Sequence, residues 1–172
     1  MIDTEGCESM IVDSFKEVMS NYPTGVTVVT TTDVKGSPIG LTVNSFASVS
    51  VDPLLILWSI DKRVFSYNEF QKTEHFVVNI LAKNQEDIAL LFASSITAQE
   101  RFERCDWSYS ERKLPIIEGA TASLQCKTFQ RVDAGDHLIL IGEILEINSK
   151  NESPLLYHKR KMGAFPEQFH MR

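Results

Sequence analysis

Cysteine is scarce in this sequence, and its arrangement argues against the usual cysteine-based sites. The three thiols, Cys7, Cys105 and Cys126, are odd in number and far apart along the chain. No CxxC pair or group of histidines accompanies them, so neither a zinc site nor a disulfide framework is expected. We predict no metal site, and reduced thiols of the kind found in cytoplasmic proteins.

Long apolar runs and an excess of positive charge are also absent. No run approaches the roughly 18 apolar residues that indicate a membrane span, and the acidic, polar start lacks the basic and apolar regions of a signal peptide. The formal net charge of −6 argues against a general nucleic-acid binder, which needs a surface rich in Lys and Arg. We therefore expect a cytoplasmic protein with no membrane and no nucleic acid as partner.

The sequence also lacks a GxGxxG motif after a strand, which argues against a Rossmann dinucleotide site. Residues 95–118 are polar and irregular. Elsewhere, periodicity predicts helices at 8–22, 64–71 and 84–93, the last with Asn84 as N-cap, and strands at 25–32, 36–53, 54–60, 75–81, 120–132 and 137–147. Six or more short strands with a few helices at the ends predict a closed antiparallel barrel.

Residues 36–53 are the most informative stretch, because apolar and small polar residues alternate there without a single basic residue. A surface strand normally carries charged side chains on its outward row. This stretch offers instead the short neutral side chains of Thr42, Asn44, Ser48 and Ser50. Such donors and acceptors suit a flat polar heterocycle with many hydrogen-bonding edges, although a Thr/Ser-rich solvated strand has the same pattern.

Four segments in order give the chain a resemblance to a known family. They are Tyr-Pro-Thr-Gly-Val-Thr-Val-Val-Thr at 22–30, Gly-Leu-Thr-Val-Asn-Ser-Phe-Ala-Ser-Val-Ser at 40–50 with Asp-Pro after it, Phe-Val-Val-Asn-Ile-Leu at 76–81, and Gly-Asp-His at 135–137. The chain resembles the flavin reductase-like proteins, the small reductase components of two-component flavin monooxygenases. Each segment alone would be weak, but the four in order are strong evidence, and the resemblance covers about residues 15–162. The length of 172 residues is most simply that of one domain over 1–172.

The resemblance implies both a fold and a function. The implied fold is mainly β with peripheral helices, an antiparallel six-stranded split β-barrel that forms a homodimer. The implied activity is that of an NAD(P)H:flavin oxidoreductase, which uses NADH or NADPH to reduce FMN or FAD and supplies the reduced flavin to a separate oxygenase. Hydride transfer needs two stacked rings and no general base, so the lack of an obvious catalytic dyad is expected.

The same resemblance assigns roles to individual residues. His137 is expected to contact the nicotinamide half of the reductant. The expected flavin contacts are Pro23, Thr24, Gly25, Thr42, Val43, Asn44, Ser45, Ser59, Lys62, Arg63, Ser66 and Asn79. Within this set, Thr42, Asn44 and Ser45 line the isoalloxazine ring. Lys62, Arg63 and Ser66 are candidates for the flavin phosphate, since Arg can bind it bidentately and Lys as a point charge.

Several of these residues have a second interpretation. Lys62 and Arg63 could belong to an ordinary charged loop, and a lone histidine such as His137 is often structural. Pro23 can simply end a helix, whereas Gly25 could reflect unusual backbone dihedrals or close approach of a ligand. Asn79 lies inside an apolar strand and could bond either to flavin or to the barrel backbone.

One part of the sequence departs from the family. A basic residue followed by Tyr or Phe is common near the C-terminus, whereas here residues 159–163 are Lys-Arg-Lys-Met-Gly. The loss of the aromatic ring puts a stacking role there in doubt, and Phe165 is a possible substitute. Two other functions remain open at this point, namely a flavin-binding module without turnover and a flavoprotein that reduces another acceptor, such as a metal complex.

Overall fold

The computed structural model describes residues 4–164, 166 and 168, with side chains from residue 9 onward. The side chain of Cys7 and the whole of Phe165 therefore lie outside the described residues. The helices are α1 (Thr4–Ser20), α2 (Tyr67–Lys72), α3 (Glu86–Ala93) and α4 (Ala98–Glu103). The strands are β1 (Thr24–Gly25), β2 (Thr27–Thr32), β3 (Pro38–Val43), β4 (Ala47–Val51), β5 (Leu54–Asp61), β6 (His75–Ile80), β7 (Trp107–Tyr109), β8 (Pro115–Ile117), β9 (Ala122–Ala134), β10 (His137–Ser149), β11 (Leu155–His158) and β12 (Lys161–Ala164).

The protein is mainly β, as predicted, and its largest sheet has seven strands in the order β3-β2-β6-β9-β10-β5-β4. Every neighbouring pair in this sheet is antiparallel. The prediction of one strand over residues 36–53 is wrong, because β3 and β4 form the opposite edges of the sheet. The link at residues 44–46, Asn-Ser-Phe, is short and contains neither Gly nor Pro, so the sequence does not reveal that the chain passes there from one edge of the sheet to the other.

The observed sheet also differs from the expected six-stranded barrel in its number of strands and in their pairing. Seven strands rather than six form the sheet, and β3 and β4 are not paired with each other. One face of the sheet nevertheless surrounds a single core that includes Val29, Leu41, Trp58, Phe76 and Leu140. Because these residues come from strands across the whole width of the sheet, its inner face must be strongly curved. Phe70 of α2 joins the same core.

Two smaller sequence predictions are also wrong. Asn84 does not cap α3; the N-cap is Gln85, whose side chain accepts from the Ala82 N–H and donates to the Glu118 carbonyl. The stretch predicted to be irregular at residues 95–118 contains α4 and the β7–β8 hairpin. A capping box between Thr97 and Glu100 begins α4, and this Thr-x-x-Glu spacing was readable in the sequence.

The outer face of the large sheet divides into two regions. The covered half is the outer face of β2, β3 and β6, which α3, α4 and the β7–β8 hairpin contact. The open half is the outer face of β5 and residues 137–143 of β10, where the outward side chains stay partly exposed. The two halves share one core on the inner face and differ in what covers them.

The N-terminal helix α1 has few packing partners within the chain. Its apolar side chains are exposed, with Met10, Ile11, Phe15 and Val18 each more than 60% accessible. Within the described part of the chain, no helix is both long and apolar enough to cross a membrane. The amphipathic pattern that predicted a helix over residues 8–22 is confirmed, but the apolar face is not buried against the core.

Candidate functional site

A cleft of about 550 Å³ lies beside β3, between that edge strand, the start of α2 and the loop that joins α3 to α4. Two residues predicted to contact flavin, Thr42 and Ser66, both line it. Phe65, Glu69 and Arg101 line it as well. The volume is in the range of small-molecule and cofactor sites, and the wall combines apolar side chains with a few polar groups, which is typical of such sites.

The β3 wall of this cleft is fixed by hydrogen bonds to its neighbours. The Thr42 hydroxyl donates to the Ala89 carbonyl of α3 at 2.7 Å, so its oxygen can still accept a hydrogen bond but its proton is committed. Gly40 lies where a Cβ would come within 2.8 Å of the Phe92 ring. The absence of a side chain at Gly40 therefore allows α3 to approach β3 closely.

The link from β3 to β4 contributes differently from what was expected. The Ser45 hydroxyl donates to the Ser59 carbonyl at 3.1 Å and accepts from the Ser59 N–H at 3.0 Å, so it joins the link to β5. Val43 is partly buried against the inner core, whereas Asn44 is exposed. The segment 42–45 is thus held in place at both ends, and the Asn44 amide remains accessible.

The two cations predicted to bind phosphate are already paired with carboxylates. The Lys62 ammonium donates to Asp133 at 2.8 Å and to the Gly135 carbonyl at 2.7 Å. Arg63 forms a two-pronged contact with Asp61, at 2.6 Å in its shorter arm. Neither cation lines the cleft that holds Thr42 and Ser66.

His137 belongs to the same charged end of the open half. It pairs with Asp61 across the β10–β5 ladder, and its Nδ1 lies 2.7 Å from an Asp136 carboxylate oxygen. Hydrogen bonding from His137 lowers the pKa of Asp136, and the bond from Arg63 lowers that of Asp61. Because Asp136 occupies Nδ1, the free polar atom of His137 is Nε2.

The turn at residues 23–25 does not line the cleft beside β3. Pro23, Thr24 and Gly25 line an apolar groove of about 780 Å³ together with Leu156 and Met162 of the C-terminal hairpin. The Thr24 hydroxyl is buried there without a partner. Gly25 is not among the glycines with positive φ, and a Cβ on it would meet nothing within 4 Å. A positive φ therefore does not explain Gly25, and close approach of a ligand stays a prediction.

Asn79 is a structural residue of the covered half. It is fully buried, and its amide donates to the Val28 carbonyl at 3.0 Å and to the Thr30 hydroxyl at 3.2 Å. Its carbonyl oxygen accepts from the Ile117 N–H at 3.1 Å. Of the two interpretations of Asn79, the structure supports bonding to the backbone, since no surface is left for a ligand.

Sequence reasoning missed Arg101 and Glu69, which both line the cleft. Glu69 looks like any charged position of a short helix. Arg101 sits in the stretch read as irregular, although the capping box at residues 97–100 could have revealed its helix. Only the fold shows that these two residues face the space beside β3.

The thiols of Cys105 and Cys126 both have a raised pKa. Burial raises the pKa of Cys126 to about 12, and burial with a contribution from Asp106 raises that of Cys105 to about 11. A thiol with a raised pKa is a poor nucleophile at neutral pH. Both thiols are free in the part of the chain that the structure describes.

Comparisons with known proteins agree on one family. The chain matches the flavin reductase like domain over residues 19–166. It is 43% identical over 154 residues to the reductase component of a flavin-dependent trigonelline monooxygenase from Acinetobacter baylyi, covering 90% of this chain and 48% of that protein. It is 38% identical over 155 residues to the FMN reductase (NADH) SmoA of Agrobacterium fabrum, covering 90% of this chain and 87% of SmoA.

The solved structures lead to the same family. The NADH:FAD oxidoreductase SgcE6 of Streptomyces globisporus, solved with NAD and FAD fragments, has a TM-score of 0.84 and 31% identity, covering 90% of this chain and 93% of that one. The chain spans about half the length of the Acinetobacter relative.

Proposed function

The chain belongs to the flavin reductase-like family, and from this membership we propose that it transfers hydride from NADH or NADPH to FMN or FAD. The observation that carries the proposal is the cleft beside β3, where Thr42 and Ser66, 24 positions apart in the sequence, line one cavity of flavin-accommodating size. The resemblance in sequence implies a flavin contact for both residues.

The residues of the cleft fit a flavin in their chemistry. Its wall presents hydroxyls, among them those of Thr42 and Ser66, which match the neutral donors and acceptors of the isoalloxazine edge. The guanidinium of Arg101 also lies there, bonded to the Gly40 carbonyl of β3. Two polar atoms, Glu69 Oε2 and Arg101 Nε, are buried there without a partner. A buried polar group without a partner indicates a missing ligand or water, so the cleft has unmet hydrogen-bonding capacity of both signs.

The residues of this cleft would hold the flavin, which would supply the two-electron redox chemistry. The protein's residues hold and orient the two reactants, which is the main requirement of such a reaction. Thr42 and the edge of β3 form one wall for the flavin, and Ser45 keeps the neighbouring link rigid through Ser59. Asn44 is exposed beside them and is available to the ring or to the nucleotide.

His137 is proposed to orient the nicotinamide. Asp136 holds its Nδ1, which leaves Nε2 to contact the carboxamide of the nucleotide. Its position on the open half, two residues along the outward row of β10 from Ile139, gives the nucleotide a partly apolar surface. His137 is not asked to transfer a proton, because hydride transfer needs none.

The remaining family properties are proposals of the same kind. We expect the curved sheet to be the split barrel of the family, in which residues 44–46 connect the edge strands β3 and β4. We expect a homodimer, supported by exposed apolar side chains on α1 and at Phe129, Val132 and Ile147. A flavin-dependent oxygenase is the expected recipient of reduced flavin, as the name of the Acinetobacter relative indicates for that protein. A cytoplasmic location remains a prediction.

Steady-state kinetics with both flavins and both nucleotides tests the activity. Oxidation of NADH or NADPH, followed by loss of its absorbance, should depend on added or bound FMN or FAD. The absorbance of the purified protein is recorded first, because it shows whether flavin is retained as a cofactor. Absence of flavin-dependent oxidation with either nucleotide would reject the proposed activity.

A further inference from the structure

The turn that joins β9 to β10 is bonded to a residue of another strand end. Lys62 directly follows β5, and its ammonium donates to the Asp133 carboxylate at 2.8 Å and to the Gly135 carbonyl at 2.7 Å. The backbone N–H of Lys62 also donates to the Asp136 carbonyl at 3.0 Å. Lys62 therefore bonds three of the four residues at 133–136.

This turn has little other support from side chains. Among the described residues, Lys62 is the only one outside the hairpin whose side chain bonds to residues 133–136. The Asp133 side chain is 76% exposed, whereas that of Lys62 is 30% exposed. The hydrogen bond to Asp133 is the main cause that raises the pKa of Lys62, so the ammonium keeps its charge at neutral pH. The contact is thus made by a charged donor that is partly shielded from solvent.

The turn carries the group that orients the His137 ring. An Asp136 carboxylate oxygen lies 2.7 Å from Nδ1 of His137, and the carbonyl of the same Asp136 accepts from the Lys62 N–H. The Asp136 side chain is itself 72% exposed, so its direction depends on the backbone that carries it. The position of the turn consequently decides where Nε2 of His137 points.

A second carboxylate shares the same face of the sheet but has another partner. Asp61 lies directly opposite His137 in the β10–β5 ladder, and opposite residues of a ladder place their side chains on one face. Both carboxylate oxygens of Asp61 accept from Arg63. Asp136 is therefore the carboxylate that holds the imidazole, and its placement depends on the turn that Lys62 binds.

We propose that Lys62 is a positioning residue, which holds the turn at residues 133–136 so that His137 presents Nε2 to the nicotinamide. This inference rests on the proposed flavin reductase activity and on the contact proposed for His137. It gives Lys62 a role toward the nucleotide, whereas the sequence indicated the flavin phosphate. Partly exposed ion pairs stabilise a fold little, so the effect of Lys62 should appear in nucleotide binding.

A double-mutant cycle between Lys62 and His137 tests this dependence. KM for the preferred nucleotide is measured for the wild type, Lys62→Met, His137→Ala and the double variant, and FMN affinity is measured by flavin fluorescence. Lys62→Met should raise KM by about 2- to 5-fold and leave the dissociation constant of FMN unchanged. In the His137→Ala background, the same substitution should leave KM nearly unchanged, because the residue that it positions is already missing.

Two further variants separate the contact from the charge. Lys127→Met removes an exposed cation from β9, the strand that carries Asp133, and should leave KM unchanged. Lys62→Arg keeps a cation with several N–H donors and should recover most of the affinity for the nucleotide. An equal rise in KM with and without His137 would overturn the proposal. Weaker FMN binding with unchanged riboflavin binding in Lys62→Met would also overturn it, since Lys62 would then bind the flavin phosphate.

The position of the imidazole can also be measured without turnover. The ring signals of His137 in NMR spectra are identified by their absence in His137→Ala. Lys62→Met should shift these signals, and so should Asp133→Ala, which removes the same ion pair from its exposed side. Unshifted signals in both variants would contradict the proposal whatever the kinetics show. If the wild type does not oxidise NADH or NADPH with flavin, the proposed function fails, and the NMR comparison still decides whether Lys62 positions the ring.

Discussion

The covered half and the open half of the large sheet carry similar sequences with opposite consequences. Both alternate apolar residues with small polar ones, and both contained residues that resembled ligand contacts. In the covered half Asn79 and Thr30 are fully buried and bonded within the protein. In the open half Ser59 and His137 remain partly exposed. Complete burial with all bonds made inside the protein therefore removes Asn79 and Thr30 as ligand contacts, whereas Ser59 and His137 keep accessible surface.

The largest effect of a single substitution is expected in the covered half. Asn79→Ala removes three hydrogen bonds and leaves the Ile117 N–H and the Val28 carbonyl buried without that partner. The free energy of unfolding should fall by about 2–4 kcal/mol, as measured by denaturant unfolding. Asn68→Ala, at an exposed position of α2, is the matched control and should change stability little. Equal losses in the two variants would remove the distinction between the halves.

A smaller loss is expected where the link between β3 and β4 meets the open half. Ser45→Ala removes the hydroxyl that bonds both backbone groups of Ser59. The partly buried site should lose about 1–2 kcal/mol of unfolding free energy, and flavin affinity should fall with it if residues 42–45 form the wall. Ser48→Ala, which is exposed on β4, serves as the control. Full stability in Ser45→Ala would show that the link is not held by this contact.

His137 should affect binding of the nucleotide more than stability. His137→Ala removes one proposed contact to the nicotinamide, so KM for the preferred nucleotide should rise by about 3- to 10-fold while FMN affinity stays unchanged. His137→Gln, which can still donate a hydrogen bond, should recover part of the loss. An unchanged KM in His137→Ala would leave the histidine with a structural role only.

The smallest expected effect is the pH dependence of the Asp61–Arg63 pair. Arg63 lowers the pKa of Asp61, so the pair stabilises the folded protein above the ordinary carboxyl pKa of 3.8 and loses that contribution as pH falls further. The Tm difference between wild type and Arg63→Met should be small at neutral pH, because the pair is largely exposed, and should shrink below pH 3.8. A Tm difference between wild type and Arg63→Met that increases as the pH falls below 3.8 would contradict this account.

The sequence predicted local structure better than long-range placement. The hairpin around Gly135 could be predicted, because a glycine between acidic residues is a turn signal. In the structure this glycine adopts φ 63° in a two-residue turn. The edge positions of β3 and β4 were not readable, since pairing between distant strands leaves no local signal. The turn between β11 and β12 was not predictable in this way. Its residues Lys159 and Arg160 adopt positive φ values of 49° and 62°, which are usually found at glycine.

The candidate site was predictable only in part, for a related reason. Thr42 and Ser66 were found through motifs, and they share a cleft. Arg101 was not found, because its place beside β3 is a property of three-dimensional neighbours rather than of sequence spacing. Lys62 and Arg63 were expected to bind the flavin phosphate because the sequence does not show their ion pairs. The pairing with Asp133 and Asp61 becomes visible only in the fold.

The most direct test of the central claim is anaerobic stopped-flow absorbance of the protein mixed with flavin and then with NADH or NADPH. If the chain catalyses hydride transfer to flavin, the oxidised flavin band should disappear much faster with protein than without it, and nucleotide absorbance should fall in step. Flavin that binds to the protein and keeps its oxidised band with both nucleotides would contradict the claim, and would leave a flavin-binding module without turnover.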